Sequence, residues 1–292
     1  MKHLMEFTVP SDCAGTALRD YLRYNLSLSA GLVKRAKYRE GGICIDGREV
    51  HTDYILRGGE KLTLTTESDD EFSSGVEAVD GNLDIIFEDD EILVINKEGG
   101  MPVHPSQNHH TDSVANIVAY RYKNMIFRPV NRLDKGTSGL MVIAKNADIC
   151  ARLSSQLHTT FTKEYLGICD GIFEQKSGVI DAPIGRVEGS VIKREVRSDG
   201  KSAKTFFEVV KEHNNRSLVR FTITTGRTHQ IRVHSAYIGH SITGDFLYGT
   251  EDKSLISRPA LHACKIEFDY RGKRVTFEAP LPEDMKGLVY ES

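Results

Sequence analysis

The residue best suited to do chemistry in this sequence is Asp134, in the stretch Arg132-Leu133-Asp134. It is followed by Gly136-Thr137-Ser138-Gly139 and then by the apolar run 140–144. Glycine and hydroxyl residues indicate a tight turn, and the apolar run indicates a buried strand. A carboxylate on a loop that a rigid strand supports can serve as a nucleophile or base. The same pattern is also typical of an aspartate that caps a turn, which from this stretch alone is the commoner case.

A second group of chemically capable side chains lies between Gly226 and His240, and it includes Arg227, His229 and Arg232. Gly226 predicts a turn, and the residues after it suit a helix or an irregular turn that carries cations. The three histidines at 229, 234 and 240 match no standard zinc-ligand spacing, and no cysteine or acid pair accompanies them. The sequence therefore predicts no metal site.

A third segment, Thr162-Lys163-Glu164-Tyr165-Leu166-Gly167, alternates in the manner of a β-strand. A tyrosine on such a strand is usually a half-buried packing residue. On its own, this segment therefore carries no functional prediction.

Together these three stretches resemble the RluA-type pseudouridine synthases. The resemblance rests on Arg-Leu-Asp-x-x-Thr-Ser-Gly-Leu from Arg132, on Lys-x-Tyr ending at Tyr165, and on Thr-Gly-Arg-Thr-His-Gln-Ile-Arg-Val-His ending at His234. The last motif continues as Gly-His-x-Ile-x-Gly-Asp-x-x-Tyr-Gly from Gly239. Two positions depart from the family pattern, because many members have His where this chain has Asn131 and Pro where it has Glu98.

The resemblance implies a reaction and a role for several residues. The reaction detaches uracil from its ribose, rotates it and rejoins it through C5, so the resemblance implies no cofactor. Asp134 would be the catalytic carboxylate, Arg232 its charged partner, and Tyr165 would stack near the uracil as the candidate base for C5. Arg132 would fill the space left by the flipped nucleotide, as the enzyme must extrude its target base from folded RNA. Arg227 and His229 are expected to contact RNA.

Composition and charge distribution limit the partners and the cellular location that the protein can have. The formal net charge is −3, but eleven acidic residues and no Lys or Arg lie between Glu67 and Glu91, so the rest of the chain carries +8. Such segregation is compatible with RNA binding, which the overall charge alone would not suggest. The five cysteines form no C-x-x-C pair, and no signal peptide or membrane-length apolar run is present. These features predict a cytoplasmic protein that does not bind membranes.

The first 66 residues resemble an S4 RNA-binding domain. Helical periodicity predicts one helix over 16–24 and a second over 30–38. Ile43–Val50 with its Asp46-Gly47 centre predicts a hairpin with a type I′ turn. The second predicted helix is basic, and although such a cluster is more often a solvated face, the S4-like pattern favours contact with RNA phosphates. The residues of this basic cluster are Lys34, Arg35, Lys37 and Arg39.

The predicted organisation is an S4-like α/β domain at 1–66, an acidic flexible linker at 67–82 and a catalytic domain at 83–292. Periodicity alone indicates an α+β class. The resemblance adds the pseudouridine synthase fold, a mixed and mostly antiparallel central sheet with flanking helices. The chain is predicted to act as a monomer.

Three other functions compete with the leading prediction, which is isomerisation of uridines in large-subunit ribosomal RNA. One is a pseudouridine synthase that acts on tRNA. Another is a non-catalytic RNA-binding or ribosome-assembly protein that retains the fold, although intact Asp134, Tyr165 and Arg232 argue against it. The third is a hydrolase with an aspartate nucleophile, but glycosidases usually pair two carboxylates and Asp134 has no second acid in its motif.

Overall fold

The computed structural model describes residues 2–26, 33, 36–67, 76–106, 108–123 and 125–290. The chain divides into two compact units, Met1–Ser74 and Gly75–Ser292. Half of the predicted linker at 67–82 lies outside the described residues, as does most of the predicted helix over 30–38. Among the residues that are described, no helix is long and apolar enough to cross a membrane.

The smaller unit is a four-stranded antiparallel sheet with short helical turns. Its strands are β1 (Lys2–Thr8), β2 (Ile43–Ile45), β3 (Arg48–Glu49) and β4 (Lys61–Glu67), in the order β1-β4-β2-β3. The helical segments are a 3₁₀ turn (Ser11–Cys13), a short helix α1 (Leu18–Asp20) and a π-helical turn (Tyr21–Asn25). Leu18 of α1 and Leu22 of the π-helical turn belong to the core of this unit. Asp46 and Gly47 both have positive φ, as the predicted type I′ turn requires.

The larger unit is built on a ten-stranded sheet. Eight strands follow the order β10-β13-β14-β9-β15-β8-β6-β5, β16 pairs with β15, β7 pairs with β8, and β11 and β12 form a separate hairpin. The strands are β5 (Asp84–Glu88), β6 (Ile92–Lys97), β7 (Arg128–Pro129), β8 (Ser138–Ala144), β9 (Thr162–Asp170), β10 (Ser177–Asp181), β11 (Ile184–Arg186), β12 (Arg194–Val196), β13 (Lys204–His213), β14 (Arg216–Ile223), β15 (Leu261–Tyr270) and β16 (Lys273–Glu278).

Four helices accompany this sheet: α2 (Val114–Arg121), α3 (Ala147–Ser155), α4 (Gln230–Tyr237) and α5 (Glu283–Val289). A 3₁₀ turn, Gln156–His158, follows α3. The pairing of β8 with β15 is parallel, and the other pairs in the described part of this sheet are antiparallel. The prediction of a mixed, mostly antiparallel sheet with flanking helices is confirmed.

Strand β8 is the central support of the Asp134 loop. All seven of its residues are buried, and successive side chains point to opposite faces. Met141 and Ile143 join the core formed with α2 and α5, whereas Leu140 and Val142 join the core formed with α3. Burying each large aliphatic side chain stabilises the fold by about 1.5–3 kcal/mol, so this strand is rigid.

Asn131 ties the loop before Asp134 to the same strand. Its amide nitrogen donates to the carbonyl of Leu140 at 3.1 Å, and its side-chain oxygen accepts from the N–H of Val142 at 2.8 Å. Val130 N–H also donates to the carbonyl of Val142, at 2.8 Å. Asn131 is buried and takes over the hydrogen bonds of a backbone pair, so it fixes where the chain leaves the sheet.

The loop after Asp134 is held from the other side by buried cations. Lys97 donates to the carbonyls of Glu98, Met101 and Lys135 at 2.7, 2.9 and 3.2 Å, and Arg258 donates to that of Gly136 at 3.3 Å. Lys97 is 2 % exposed. Burial, together with the Arg258 charge, lowers the pKa of Lys97 to about 7, and the Asp134 charge partly opposes this shift. Both flanks of Asp134 are therefore fixed to strands or to buried side chains.

The Thr-Ser-Gly part of the motif is explained by the close approach of β15. Gly139 has φ +112°, and a Cβ there would lie 2.3 Å from the carbonyl oxygen of Ala263, so only glycine fits. The preceding Ser138 Oγ lies 2.9 Å from Nδ1 of His262 on β15. His262 is fully buried, and burial lowers its pKa to about 4. A neutral imidazole therefore fastens β8 to β15 directly behind the loop.

Replacing Asn131 by Ala is expected to reduce the free energy of unfolding by about 1–3 kcal/mol, because buried backbone groups of Leu140 and Val142 lose their partners. Urea denaturation measures this change. Asn96→Ala, which removes an exposed side-chain bond to Asp84, is the control and should cost less than about 0.5 kcal/mol. Equal losses in the two variants would contradict the role assigned to Asn131.

Acidification should destabilise the larger unit partly through His262. Its pKa is about 4 in the folded protein, whereas an unfolded histidine titrates near 6.5. Between pH 6.5 and pH 4 the histidine is therefore protonated in the unfolded chain but neutral in the folded protein. Protonation stabilises the unfolded chain, so the free energy of unfolding falls by about 3 kcal/mol at most as the pH drops from 6.5 towards 4. Urea unfolding at pH 7 and pH 4.5 should show a smaller pH effect in His262→Gln than in the wild type. An identical pH effect in both proteins would refute this.

Candidate active site

The loop of Asp134 opens into a cleft of about 670 Å³ in the larger unit. Strand β9, the turn after β14 and the start of α4 form the other walls. The cleft thereby brings together the three separate sequence motifs. The lining residues with polar or aromatic side chains include His104, Asn131, Arg132, Asp134, Thr137, Lys163, Tyr165, Arg227, Thr228, His229, Gln230 and Arg232.

Asp134 faces a buried guanidinium. Its side chain is 28 % exposed, and its Oδ2 lies 3.5 Å from Nη1 of Arg232, which is 4 % exposed. Arg232 is bound more tightly by Asp245, with Nε 2.6 Å from Oδ2 and Nη2 2.7 Å from Oδ1. Burial alone would lower the pKa of Arg232, but the bonds to Asp245 and the two carboxylate charges raise it. Arg232 is thus a fixed cation between two carboxylates.

His229 lies on the same side of the cleft, at the start of α4. Its Nε2 is 3.9 Å from Oδ2 of Asp134, and its Nδ1 is 2.8 Å from the hydroxyl of Tyr248. The Tyr248 hydroxyl also accepts from the backbone N–H of Arg194 at 2.9 Å. Burial lowers the pKa of His229, the Asp134 charge opposes this, and the Arg232 charge adds to it. The ring is therefore neutral at neutral pH, with its orientation fixed by Tyr248.

Tyr165 and Lys163 come from alternate positions of β9 and share one face of the sheet. Tyr165 is 6 % exposed, and burial, reinforced by the Asp134 charge, raises the pKa of its phenol. Burial lowers the pKa of Lys163. The Tyr165 hydroxyl is therefore protonated at neutral pH and suits contact with an apolar or aromatic surface.

Arg132 is exposed where it lines the cleft. Arg227 also lines the cleft and donates from Nε to the carbonyl of Ser202 at 3.0 Å. His104 packs edge-on against Phe127, with ring centroids 5.0 Å apart. Burial lowers the pKa of His104, and the Arg132 charge lowers it further. The walls therefore combine an exposed guanidinium with aromatic surface.

The residues predicted to bind RNA in the first 66 are described only in part. Lys34 and Arg35 lie outside the described residues. Lys37 is exposed, with its Nζ 5.6 Å from the ring centroid of Tyr38, and Arg39 is half-buried.

The three histidines of the third motif have unrelated environments. His229 lies in the cleft, the buried His234 contacts the carbonyl of Ala182 at 2.9 Å, and His240 stacks on Phe173 with centroids 3.8 Å apart. Within the described residues, no three His, Cys, Asp or Glu side chains are grouped to hold a metal ion.

Three residues of the site were not predicted from the sequence: Asp245, Tyr248 and Lys163. Asp245 and Tyr248 stand in the Gly-Asp-x-x-Tyr-Gly segment, but the pattern alone assigns no role to either. Their partners, Arg232 and His229, precede them by 13 and 19 residues. The signal that could have found Asp245 and Tyr248 was the motif itself, which contains both residues but does not say which side chains they bind.

Comparison with known proteins gives the family. The family model for RNA pseudouridylate synthase matches residues 91–237. A Bacillus subtilis protein named uncharacterized RNA pseudouridine synthase YlyB is 39 % identical over 86 % of this chain and 86 % of its own length. A Pseudomonas aeruginosa protein named ribosomal large subunit pseudouridine synthase D is 35 % identical over 86 % and 84 % of the two chains.

Solved structures agree with this relationship. Human RNA pseudouridylate synthase domain containing 1 superposes with a TM-score of 0.58 at 27 % identity, covering 68 % of this chain and 83 % of that one. The fold predicted from the resemblance is the fold of this relative. The chain belongs to the RNA pseudouridylate synthase family and is an RNA pseudouridine synthase.

Proposed function

We propose that this enzyme isomerises specific uridines of large-subunit ribosomal RNA to pseudouridine, with Asp134 as its catalytic carboxylate. The observation that carries the proposal is the Asp134 carboxylate, open to the cleft and 3.5 Å from the buried Arg232 guanidinium. The choice of RNA draws on the relatives named ribosomal large subunit pseudouridine synthase D, which match 80–99 % of this chain at 33–37 % identity.

Asp134 fits this reaction because the chemistry needs an ionised carboxylate at the sugar or the base. It would attack ribose C1′, add to uracil C6 or remove a proton from the ribose, and each route requires a lone pair that faces the substrate. A cation beside a carboxylate stabilises its negative charge. Arg232 supplies the cation, and its orientation leaves the cleft side of Asp134 free.

Tyr165 is proposed to pack against the uracil. A tyrosine ring in a cleft wall offers a flat surface on which a nucleobase can stack. Because burial raises the pKa of Tyr165, the phenol is a poor direct acceptor for the C5 proton at neutral pH, and transfer through water would be needed. Stacking and orientation are the roles that its environment favours.

Arg132 is proposed to occupy the space that the target uridine leaves. The enzyme must bring the uracil within reach of Asp134, and extruding a stacked nucleotide costs a few kcal/mol. Arg132 is two residues from Asp134 and exposed at the cleft, where a guanidinium can stack on bases.

The first 66 residues are proposed to add affinity as an S4-like RNA-binding domain, through Lys34, Arg35, Lys37 and Arg39. The exposed Lys37 and Tyr38, 76 % exposed, offer a cation beside an aromatic ring, a combination that suits phosphates and bases. Arg227 and His229 are proposed to contact the RNA that enters the cleft.

The proposal predicts that the wild type releases tritium from RNA labelled at uridine C5 and that Asp134→Asn slows release at least about 1,000-fold, because the carboxylate takes part in bond making. Unmodified large-subunit ribosomal RNA and unmodified tRNA are tested side by side, and nucleoside analysis identifies the product. Asp148→Asn, an exposed acid on α3, is the control and should match the wild type.

Each outcome of this assay separates one alternative. Release from tRNA alone would overturn the choice of ribosomal RNA, and free uracil in place of pseudouridine would indicate hydrolysis. Full activity of Asp134→Asn would remove Asp134 from the mechanism.

Replacing Arg132 by Ala should slow the reaction about 10–100-fold on a target uridine stacked within folded RNA, because the vacated space is no longer filled. The loss should be less than about threefold on a short unstructured oligonucleotide of the same sequence, where little stacking has to be broken. Single-turnover rates on the two RNAs give the comparison. Arg152→Ala, an exposed arginine on α3, is the control. Equal losses on both RNAs would rule out a role in extrusion.

A further inference from the structure

Asp245 is the most completely buried carboxylate near the cleft, with no exposed surface. Its Oδ1 accepts from the backbone N–H groups of Leu247 and Tyr248 at 3.0 and 3.3 Å, and from Nη2 of Arg232 at 2.7 Å. Its Oδ2 accepts from Nε of Arg232 at 2.6 Å. Every oxygen of this side chain is thus engaged, and half of its bonds go to one guanidinium.

The backbone around Asp245 is itself fixed to the sheet. Thr243 N–H donates to the carbonyl of Ile168 on β9, and the carbonyl of Thr243 accepts from Ala260, next to β15. Gly244 has φ +74°, and a Cβ there would come within 2.6 Å of the carbonyl oxygen of Arg258. The carboxylate therefore approaches Arg232 from a rigid position.

Asp134 and Asp245 compete for the same cation, and the competition is unequal. The planar guanidinium presents one two-pronged edge to Asp245, at 2.6 and 2.7 Å, and leaves Nη1 to reach Asp134 at 3.5 Å. A two-pronged arginine–carboxylate pair is the strong form of this interaction. Asp134 receives only a single long contact.

We propose that Asp245 is a positioning residue that holds the Arg232 guanidinium away from a two-pronged pair with Asp134, and so keeps the Asp134 carboxylate open to the substrate. The inference rests on the proposed role of Asp134. Without Asp245, the guanidinium would have one carboxylate left within reach. It would rotate onto Asp134, occupy both of its oxygens and block the lone pair that the reaction needs.

The charges that face Asp134 support this arrangement. The charges of Arg232 and Asp245 largely cancel one another. The pair therefore stabilises the Asp134 carboxylate mainly by pointing one N–H at it, and less by net charge. The other titratable or charged side chains whose charges interact with Asp134 are Lys97 on β6, Tyr165 on β9, His229 before α4, and Tyr248. None of these takes the two-pronged edge of the guanidinium.

Asp245→Asn distinguishes this role from simple support of the 245–249 turn. The amide keeps an Oδ1 that can accept from Leu247 and Tyr248, but it places an NH₂ group against the Nε–H of Arg232. A residue that only supports its turn would tolerate the change, whereas a residue that holds Arg232 would not.

The experiment measures single-turnover tritium release and RNA affinity for full-length Asp245→Asn, on the RNA class that the wild type modifies. The rate should fall about 100-fold, as is typical when a catalytic group is misplaced by about 1 Å, while the Kd for RNA changes less than about twofold. Phe268→Leu, at a buried residue that does not line the cleft, is the control for a loss of stability without a change in the cleft. A rate loss no larger than that of Phe268→Leu would overturn the proposal.

A crystal structure of Asp245→Asn gives a readout that does not depend on activity. Two Arg232 nitrogens should lie within about 3.2 Å of the two Asp134 oxygens. An Arg232 that keeps its present position would overturn the proposal even if the rate falls. Asp134→Asn, tested in parallel, separates the two ideas, because an active Asp134→Asn refutes the proposed function, whereas an inactive one beside a normal Asp245→Asn refutes this inference alone.

Discussion

Burying a guanidinium is the constraint on which the cleft depends. Arg232 is 4 % exposed, and a charge removed from water has to be paired and fully hydrogen-bonded. Asp245 accepts hydrogen bonds from Nε and Nη2 of this guanidinium, and the remaining nitrogen, Nη1, points towards Asp134. Removing one partner of such a buried pair typically costs 3–5 kcal/mol, so the geometry around Asp134 is coupled to the stability of the fold.

The sheet makes this geometry possible because it brings distant segments to one place. Asp134 precedes β8, Tyr165 lies on β9, and Asp245 stands between α4 and β15, which lies between those two strands in the sheet. Two contacts hold β8 parallel to β15: the close approach of Gly139 to the backbone of Ala263, and the hydrogen bond between Ser138 and His262. A shift of β8 by one residue would turn its side chains to the wrong faces and move Asp134.

Much of this organisation was accessible from the sequence. The apolar run 140–144 predicted the buried strand, and the three motifs predicted which segments meet, although the motifs required a family resemblance to be understood. Periodicity did not reveal the parallel pairing of β8 with β15, because pairing between strands more than 100 residues apart leaves no local pattern. It also did not reveal Asp245, since an isolated aspartate looks the same in sequence whether it is solvated or binds a buried arginine.

The substitution of Asn131 for the usual family histidine shows how the local physics constrains the loop. Whatever occupies this position must satisfy the carbonyl of Leu140 and the N–H of Val142, both of which belong to a fully buried strand. An asparagine amide has its NH₂ donor group and its carbonyl acceptor in one plane, so it meets both needs as a backbone peptide would. Asn131 thereby attaches the loop before Asp134 to the buried strand β8.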